Sequence, residues 1–242
     1  SSDGIRIDML PANIASAVYV SPANQFPTGS VMSIASRYKL LSWANQNNSI
    51  ILEDDYDSEF RYAGRLTLPL FAEDGRDRVI YLNTFSKTMV PSLRIGYMVL
   101  PPELMDAYRD QQGFYSCTVS SFEQFALAEF IDSGAFERHM NRMRNFYRKK
   151  MKALRESPLA RRSTIEEYAA GTHFLLRVRT DLKRTDITQK GEQLGLRISF
   201  FTDYSICDID MPGQVTLVVN YAAIDPGRID DVVDRLCQVF EL

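Results

Sequence analysis

Residues 50–62 read IILEDDYDSEFRY, an apolar run that leads directly into Glu53, Asp54, Asp55, Asp57 and Glu59. A carboxylate stranded at the end of a buried strand is costly to ionise unless it is paired. A neighbouring lysine, or a cationic ligand shared with one, would answer it. The block NTFSKTMVPSLRIGY at residues 83–97 offers Lys87 among the hydroxyls of Thr84, Ser86 and Thr88, with Arg94 seven residues further on. Hydroxyls and a guanidinium make an anion site. A lysine beside an anion site and opposite a carboxylate is what pyridoxal 5'-phosphate requires. The amine attaches the cofactor, the hydroxyls and Arg94 take its phosphate, and a carboxylate keeps the ring nitrogen protonated. Tyr56 supplies a phenol for the ring oxygen.

Plainer readings compete with this one. An acidic run is commonly a solvated loop, and a lone lysine is commonly a surface charge. A calcium loop starting at Asp55 fails on position, since Phe60 stands where a glycine is needed and Leu66 where a glutamate is needed.

The surrounding pattern supplies the elements that would place these groups. AVYVS from Ala17, SIIL, RVIYLNTF and LRIGYMVL each have buried-strand length, and SVMSIASRYKLLSWANQNN is helix-periodic. Strands alternating with helices and long loops predict a largely parallel sheet, whose ligands lie beyond the carboxyl ends of the strands. Helices are expected over 103–112, 120–133 and 135–157. Beyond Gly171 the strands HFLLRVR, LRISFF and VTLVVNY, with helices near 186–194 and 227–240, predict an α+β unit. The reading is an α/β chain with a large-domain part at 1–135 and a smaller C-terminal α+β domain at 136–242. The basic helix 138–152 carries Met140, Met143, Phe146, Tyr147 and Met151 at spacings that suit packing better than nucleic-acid binding.

The totals exclude other classes. A chain of 242 residues, 45% hydrophobic, can bury a core, and 28 basic against 31 acidic residues leave no basic field for a phosphate backbone. Cys117, Cys207 and Cys237 fit no metal spacing and read as reduced, inert thiols of a cytoplasmic protein. No run approaches the roughly 20 apolar residues of a membrane span. The opening SSDGIRIDML has no initiator Met and suggests a cut chain.

SPANQFPTG, ILEDDYDSEFRY, NTFSKTMVPSLRIGY and FERHMNRMRNFYRKKM together resemble the aminotransferase-like domain of MocR-type GntR-family transcriptional regulators, a branch of the fold-type I pyridoxal phosphate enzymes. The resemblance implies that Lys87 attaches the cofactor and Asp54 pairs with the pyridine nitrogen. Tyr56 would contact the ring hydroxyl, and Thr84, Ser86 and Arg94 would hold the phosphate. Asp55 and Asp57 are left as supporting or solvated acids. It also implies a homodimer, a small amino compound or amino acid as effector, and DNA contact only through a winged helix-turn-helix outside this chain.

Departures from the family pattern matter. Phe26 occupies the place of the asparagine that precedes the Pro-Thr-Gly turn in aspartate-aminotransferase-like relatives, so Asn24 or Gln25 must substitute. Val218 stands where such enzymes carry the arginine that grips the substrate carboxylate; Arg177 and Arg197 lie in other strands and could be called on, though each reads equally as a surface charge. The glycine-rich phosphate loop and the ring-stacking aromatic are expected before the first residue, which predicts weak cofactor retention by the chain alone. His139 is expected on the helix surface or between domains, and His173 near a substrate entrance. The leading function is an effector-sensing, dimerising regulatory domain. The alternatives are a free-standing aminotransferase transferring an amino group to a 2-oxo acid, and a fold that holds no cofactor.

Overall fold

Alternation within AVYV decides how the first strand lies. In β1 (Ala17–Val20) Val18 and Val20 are buried and Tyr19 faces the other side. The valines meet the apolar face of α1 (Ile34–Gln46), whose first turn is capped by Ser33, its Oγ accepting from Ser36 N at 3.2 Å. In this computed structural model, which describes residues 3–60, 68–166, 171–206 and 212–241, the chain divides into two compact units. One comprises Ser1–Phe26 and Ser30–Asn141, the other Pro27–Gly29 and Arg142–Leu242. Arg61, Tyr62, Leu66 and Cys207 lie outside the described residues.

The first unit continues with β2 (Ile50–Asp54), α2 (Leu70–Glu73), β3 (Val79–Thr84), α3 (Phe85–Thr88), β4 (Gly96–Val99), α4 (Pro102–Gln112) and α5 (Ser121–Asp132). Its sheet has the order β1-β2-β3-β4, the first three strands parallel and β4 antiparallel. Leu40 of α1 and Ile51, Leu70 and Val79 beneath it are wholly buried, each worth about 1.5–3 kcal/mol of apolar transfer. Parallel pairing aligns Val20 with Glu53 and Asp54 with Leu82. The carboxyl ends of β1, β2 and β3 therefore form one edge, from which three loops emerge.

The boundary between units falls within α6 (Ala135–Glu156). Along this helix Met140, Tyr147, Met151 and Leu154 are buried, as the sequence predicts for a packed helix, while Phe146 stays 38% exposed. The second unit adds α7 (Pro158–Arg162), β5 (Thr164–Glu166), β6 (Phe174–Arg179), α8 (Arg184–Gln193), β7 (Gln214–Val219) and α9 (Ile229–Phe240). Strands β5, β6 and β7 make an antiparallel sheet.

The expected strand LRISFF is absent as a strand. Its backbone pairs with β7 through the Phe200–Leu217 bridge and the Val218 N to Ser199 O bond of 2.9 Å. The cause lies in α8: Gly191 leaves room for the Ile198 side chain, whose Cδ1 would stand 2.7 Å from any Cβ there, and Leu196 N bonds Gly191 O at 2.8 Å. Packing on α8 draws the segment off the sheet edge. Of the cysteines, Cys117 is exposed and Cys237 half-buried, and both are free. Among the described residues no helix is long and apolar enough to cross a membrane.

Lys150 is a buried cation that the sequence pattern does not reveal. Its Nζ donates to Tyr221 O at 3.2 Å and Ala222 O at 3.0 Å and lies 4.9 Å from the Phe146 ring centroid. Burial lowers its pKa, opposed by Asp225. The unfolded chain, with lysine near about 10.4, binds that proton more strongly than the fold does. Stability relative to Lys150→Met should therefore rise as pH climbs from the lowered folded value to the unfolded one. Urea midpoints of both proteins at pH 7 and pH 10 measure it; a gap that does not move with pH contradicts the assignment.

Candidate active site at the carboxyl edge of the parallel sheet

The acidic run after β2 turns inward. Glu53, Asp55 and Asp57 are buried, so the solvated reading of the last two is corrected. Glu53 receives Leu70 N at 2.7 Å and Phe71 N at 2.8 Å, capping α2. Burial holds its carboxyl above the usual range, while those two amides and Arg37 pull it down. Asp55 accepts from Tyr81 Oη at 2.8 Å, and Asn83 Nδ2 bonds both Tyr81 Oη and Glu59 Oε1 at 2.9 Å. Glu53 thus caps α2, while Asp55 and Glu59 belong to a network with Tyr81 and Asn83 of β3.

Asp54, at the last position of β2, remains on the sheet face opposite α1. Its Oδ2 accepts a short hydrogen bond from Tyr19 Oη, which comes from the same face of β1. Desolvation and this carboxylate push the Tyr19 phenol up to about 12. Tyr56 donates to Asn24 O at 3.0 Å, and burial, with Asp57 and Asp54, raises its pKa as well. Both phenols stay protonated at neutral pH. A cavity of about 390 Å³ is walled by Tyr19, Asp54 and Tyr56 on one side and by Gln25, Phe26 and Asp3 among others.

Asn24 lies in the loop after β1, closed by Gln25 N to Ser30 O at 3.0 Å and Met32 N to Pro22 O at 2.9 Å. Its side chain is 3% exposed, and neither amide atom has a hydrogen-bond partner among the described residues. A buried amide left unpaired costs about 1–3 kcal/mol. A ligand with a polar edge would relieve that cost, which suits the oxygen of a hydroxypyridine ring.

After β3 the chain enters α3, capped by Thr84, whose Oγ1 accepts from Ser86 N at 3.1 Å and donates to Ile95 O at 3.1 Å. Ile95 O also takes Phe85 N at 2.9 Å. These bonds hold the returning chain against α3 and keep Arg94 in the left-handed region at φ 51°. For a residue with a Cβ that conformation costs about 1–2 kcal/mol. Arg94 and Lys87 are both exposed, and Ser86 is half-buried. His139 reaches the same turn, its Nε2 2.8 Å from Thr88 O. His173 instead meets Pro27 O at 3.1 Å in the second unit.

The parallel register brings the two groups to adjacent strand ends. Asp55 N bonds Leu82 O at 2.9 Å, so Asp54 and Tyr56 leave β2 beside the β3 end that leads into Thr84, Ser86 and Lys87. Carboxylate, phenol, unpaired amide, amine, hydroxyl and guanidinium thus all come from the carboxyl ends of β1, β2 and β3 and the segments that follow them. That donor set fits pyridoxal 5'-phosphate. Sequence reasoning missed Tyr19, although strand alternation from the buried valines puts it on the face of Asp54.

The family description "aminotransferase class I and II" matches residues 16–236. An uncharacterized HTH-type transcriptional regulator, YhdI of Bacillus subtilis, is 44% identical over 73% of this chain and 38% of its own length. The probable rhizopine catabolism regulatory protein MocR of Rhizobium meliloti is 35% identical over 92% of the chain and 45% of its own. The chain thus spans less than half the length of these relatives. A solved kynurenine aminotransferase from Pyrococcus horikoshii superposes with a TM-score of 0.76 at 26% identity, over 93% of this chain and 56% of that one. With the fold, the edge chemistry and a match over most of its length in agreement, the chain belongs to the aminotransferase class I and II family, with HTH-type regulators of MocR type among its relatives.

Proposed function

We propose that the chain is the cofactor-holding, effector-sensing and dimerising part of a MocR-type transcriptional regulator. The observation that carries this reading is the convergence of Asp54, Tyr56 and Lys87 on neighbouring parallel strand ends, in a chain that spans 45% of MocR. Pyridoxal 5'-phosphate, when bound, supplies an electron-accepting ring that makes an attached amino compound reactive. Lys87 would anchor it through Nζ. Asp54 would hold the proton on the ring nitrogen through Oδ1, which accepts no other hydrogen bond among the described residues. Tyr56 remains a donor because its phenol does not ionise near neutrality. Asn24 offers its unpaired amide to the ring edge, and Ser86 and Arg94 would bind the phosphate, with Thr84 keeping their loops together.

The effector would be a small amino compound or amino acid, because the group that Lys87 would hold is one that reacts with primary amines. DNA recognition belongs to a winged helix-turn-helix elsewhere in the protein, as the HTH-type names of the relatives suggest, and a homodimer joins two such units. A free-standing aminotransferase is the second reading, favoured by the likeness to the kynurenine aminotransferase. Val218, in β7, weighs against it because an apolar side chain cannot grip a carboxylate as a guanidinium does. Full-length protein loaded with cofactor should change its absorbance on adding the effector amine and change its affinity for its own upstream DNA, without sustained keto-acid product. Many turnovers with unaltered DNA binding would favour the enzyme instead.

A further inference from the structure

The contact between Tyr19 and Asp54 has no role in the cofactor contacts just described. Tyr19 is 60% exposed, so its ring adds little to the core. Its hydroxyl nevertheless points to Asp54 Oδ2. In that bond the phenol donates and the carboxylate oxygen accepts. The other phenol in the cavity wall, Tyr56, is turned to Asn24 O and does not compete for Asp54.

A carboxylate anchored by one oxygen has its plane set, and its other oxygen can meet a ring nitrogen in a single orientation. A donor on the first oxygen also draws charge from the second and limits how tightly it holds a proton. We propose that Tyr19 is the positioning residue of Asp54, fixing its carboxylate through Oδ2 and tuning Oδ1 for the ring nitrogen of the cofactor. The inference rests on the cofactor reading above. Other ionisable groups near the pair are Asp3, from the N-terminal segment, and Tyr56, which also feels Asp57. Asp3 is held by Ser33 N at 2.7 Å, Ser33 Oγ at 2.8 Å and a short bond from Ser36 Oγ, so its own partners are in place whether or not the Tyr19 hydroxyl is present.

The test uses full-length protein with pyridoxal 5'-phosphate, as wild type and as Tyr19→Phe, which keeps the ring and removes only the hydroxyl. The readouts are the cofactor dissociation constant and the pH midpoint of the visible band of lysine-bound cofactor. Loss of a hydrogen bond to a charged group predicts a Kd weaker by about tenfold or more. The freed carboxylate makes the site more negative, so the midpoint should rise by about half a pH unit or more. Weaker binding with an unmoved midpoint would make Tyr19 merely structural, and tighter binding would make it a competitor for Asp54; either overturns the proposal, as does no change. A wild type with no such band overturns the cofactor reading itself and this inference with it, whereas an unchanged Tyr19→Phe beside a normal wild type overturns only this one.

Discussion

Lys87→Ala is expected to remove the visible band of lysine-bound cofactor from the full-length protein completely while leaving its fold intact. The side chain is exposed on α3 and makes no hydrogen bond or ion pair among the described residues. Substitutions at such positions usually change stability by no more than about 0.5 kcal/mol. Lys87→Arg is the sharper companion. It keeps the positive charge beside Thr84, Ser86 and Arg94 but has no amine able to attach the cofactor. Both variants should therefore lose the band and keep the wild-type denaturation midpoint. If Lys87→Arg retained the band, attachment would lie elsewhere; if both variants unfolded, the lysine would be holding the fold.

The largest expected effect on stability belongs to Glu53. Its carboxylate takes both buried amides at the start of α2 and faces the field of Arg37, a wholly buried arginine whose Nε and Nη1 bond Met32 O at 3.2 Å and Leu68 O at 2.5 Å. Glu53→Ala strips the acceptors from Leu70 N and Phe71 N and leaves two amides at the start of α2 without partners. A buried donor left without its acceptor typically costs about 1–3 kcal/mol, and two are left here. Glu53→Gln, which keeps one acceptor and the side-chain volume, should lose less. Urea denaturation of the chain measures both. A loss below about 1 kcal/mol for Glu53→Ala would show that water reaches the site and restores these bonds.

Much of this arrangement is legible in the sequence because strand periodicity and strand-end chemistry are local. AVYV, SIIL and RVIYLNTF announce three strands, and the acids and Lys87 follow two of them directly. Their adjacency is not local. It follows from the order β1-β2-β3, which a parallel alternating pattern makes expected. What the sequence hides is which acid faces which way. Glu53 and Asp54 are neighbours of the same charge, yet one points into the core beneath α1 and the other to the open face, a difference set by strand parity alone. Asp55 and Asp57 read only as supporting or solvated acids because partners such as Tyr81, which bonds Asp55, lie far along the chain. Lys150 is concealed for a related reason: its acceptors are backbone carbonyls at Tyr221 and Ala222, which carry no side-chain signature. LRISFF has strand-like residues, but a cleft made by Gly191 in another element decides where Ile198 goes.

The most direct measurement of the central claim is where the cofactor attaches. Full-length protein equilibrated with pyridoxal 5'-phosphate, reduced with borohydride, digested and sequenced by mass spectrometry should carry the pyridoxyl group on the peptide holding Lys87, at near-stoichiometric yield and on no other lysine. A modification spread over surface lysines, or absent from the Lys87 peptide in folded protein, would contradict the account.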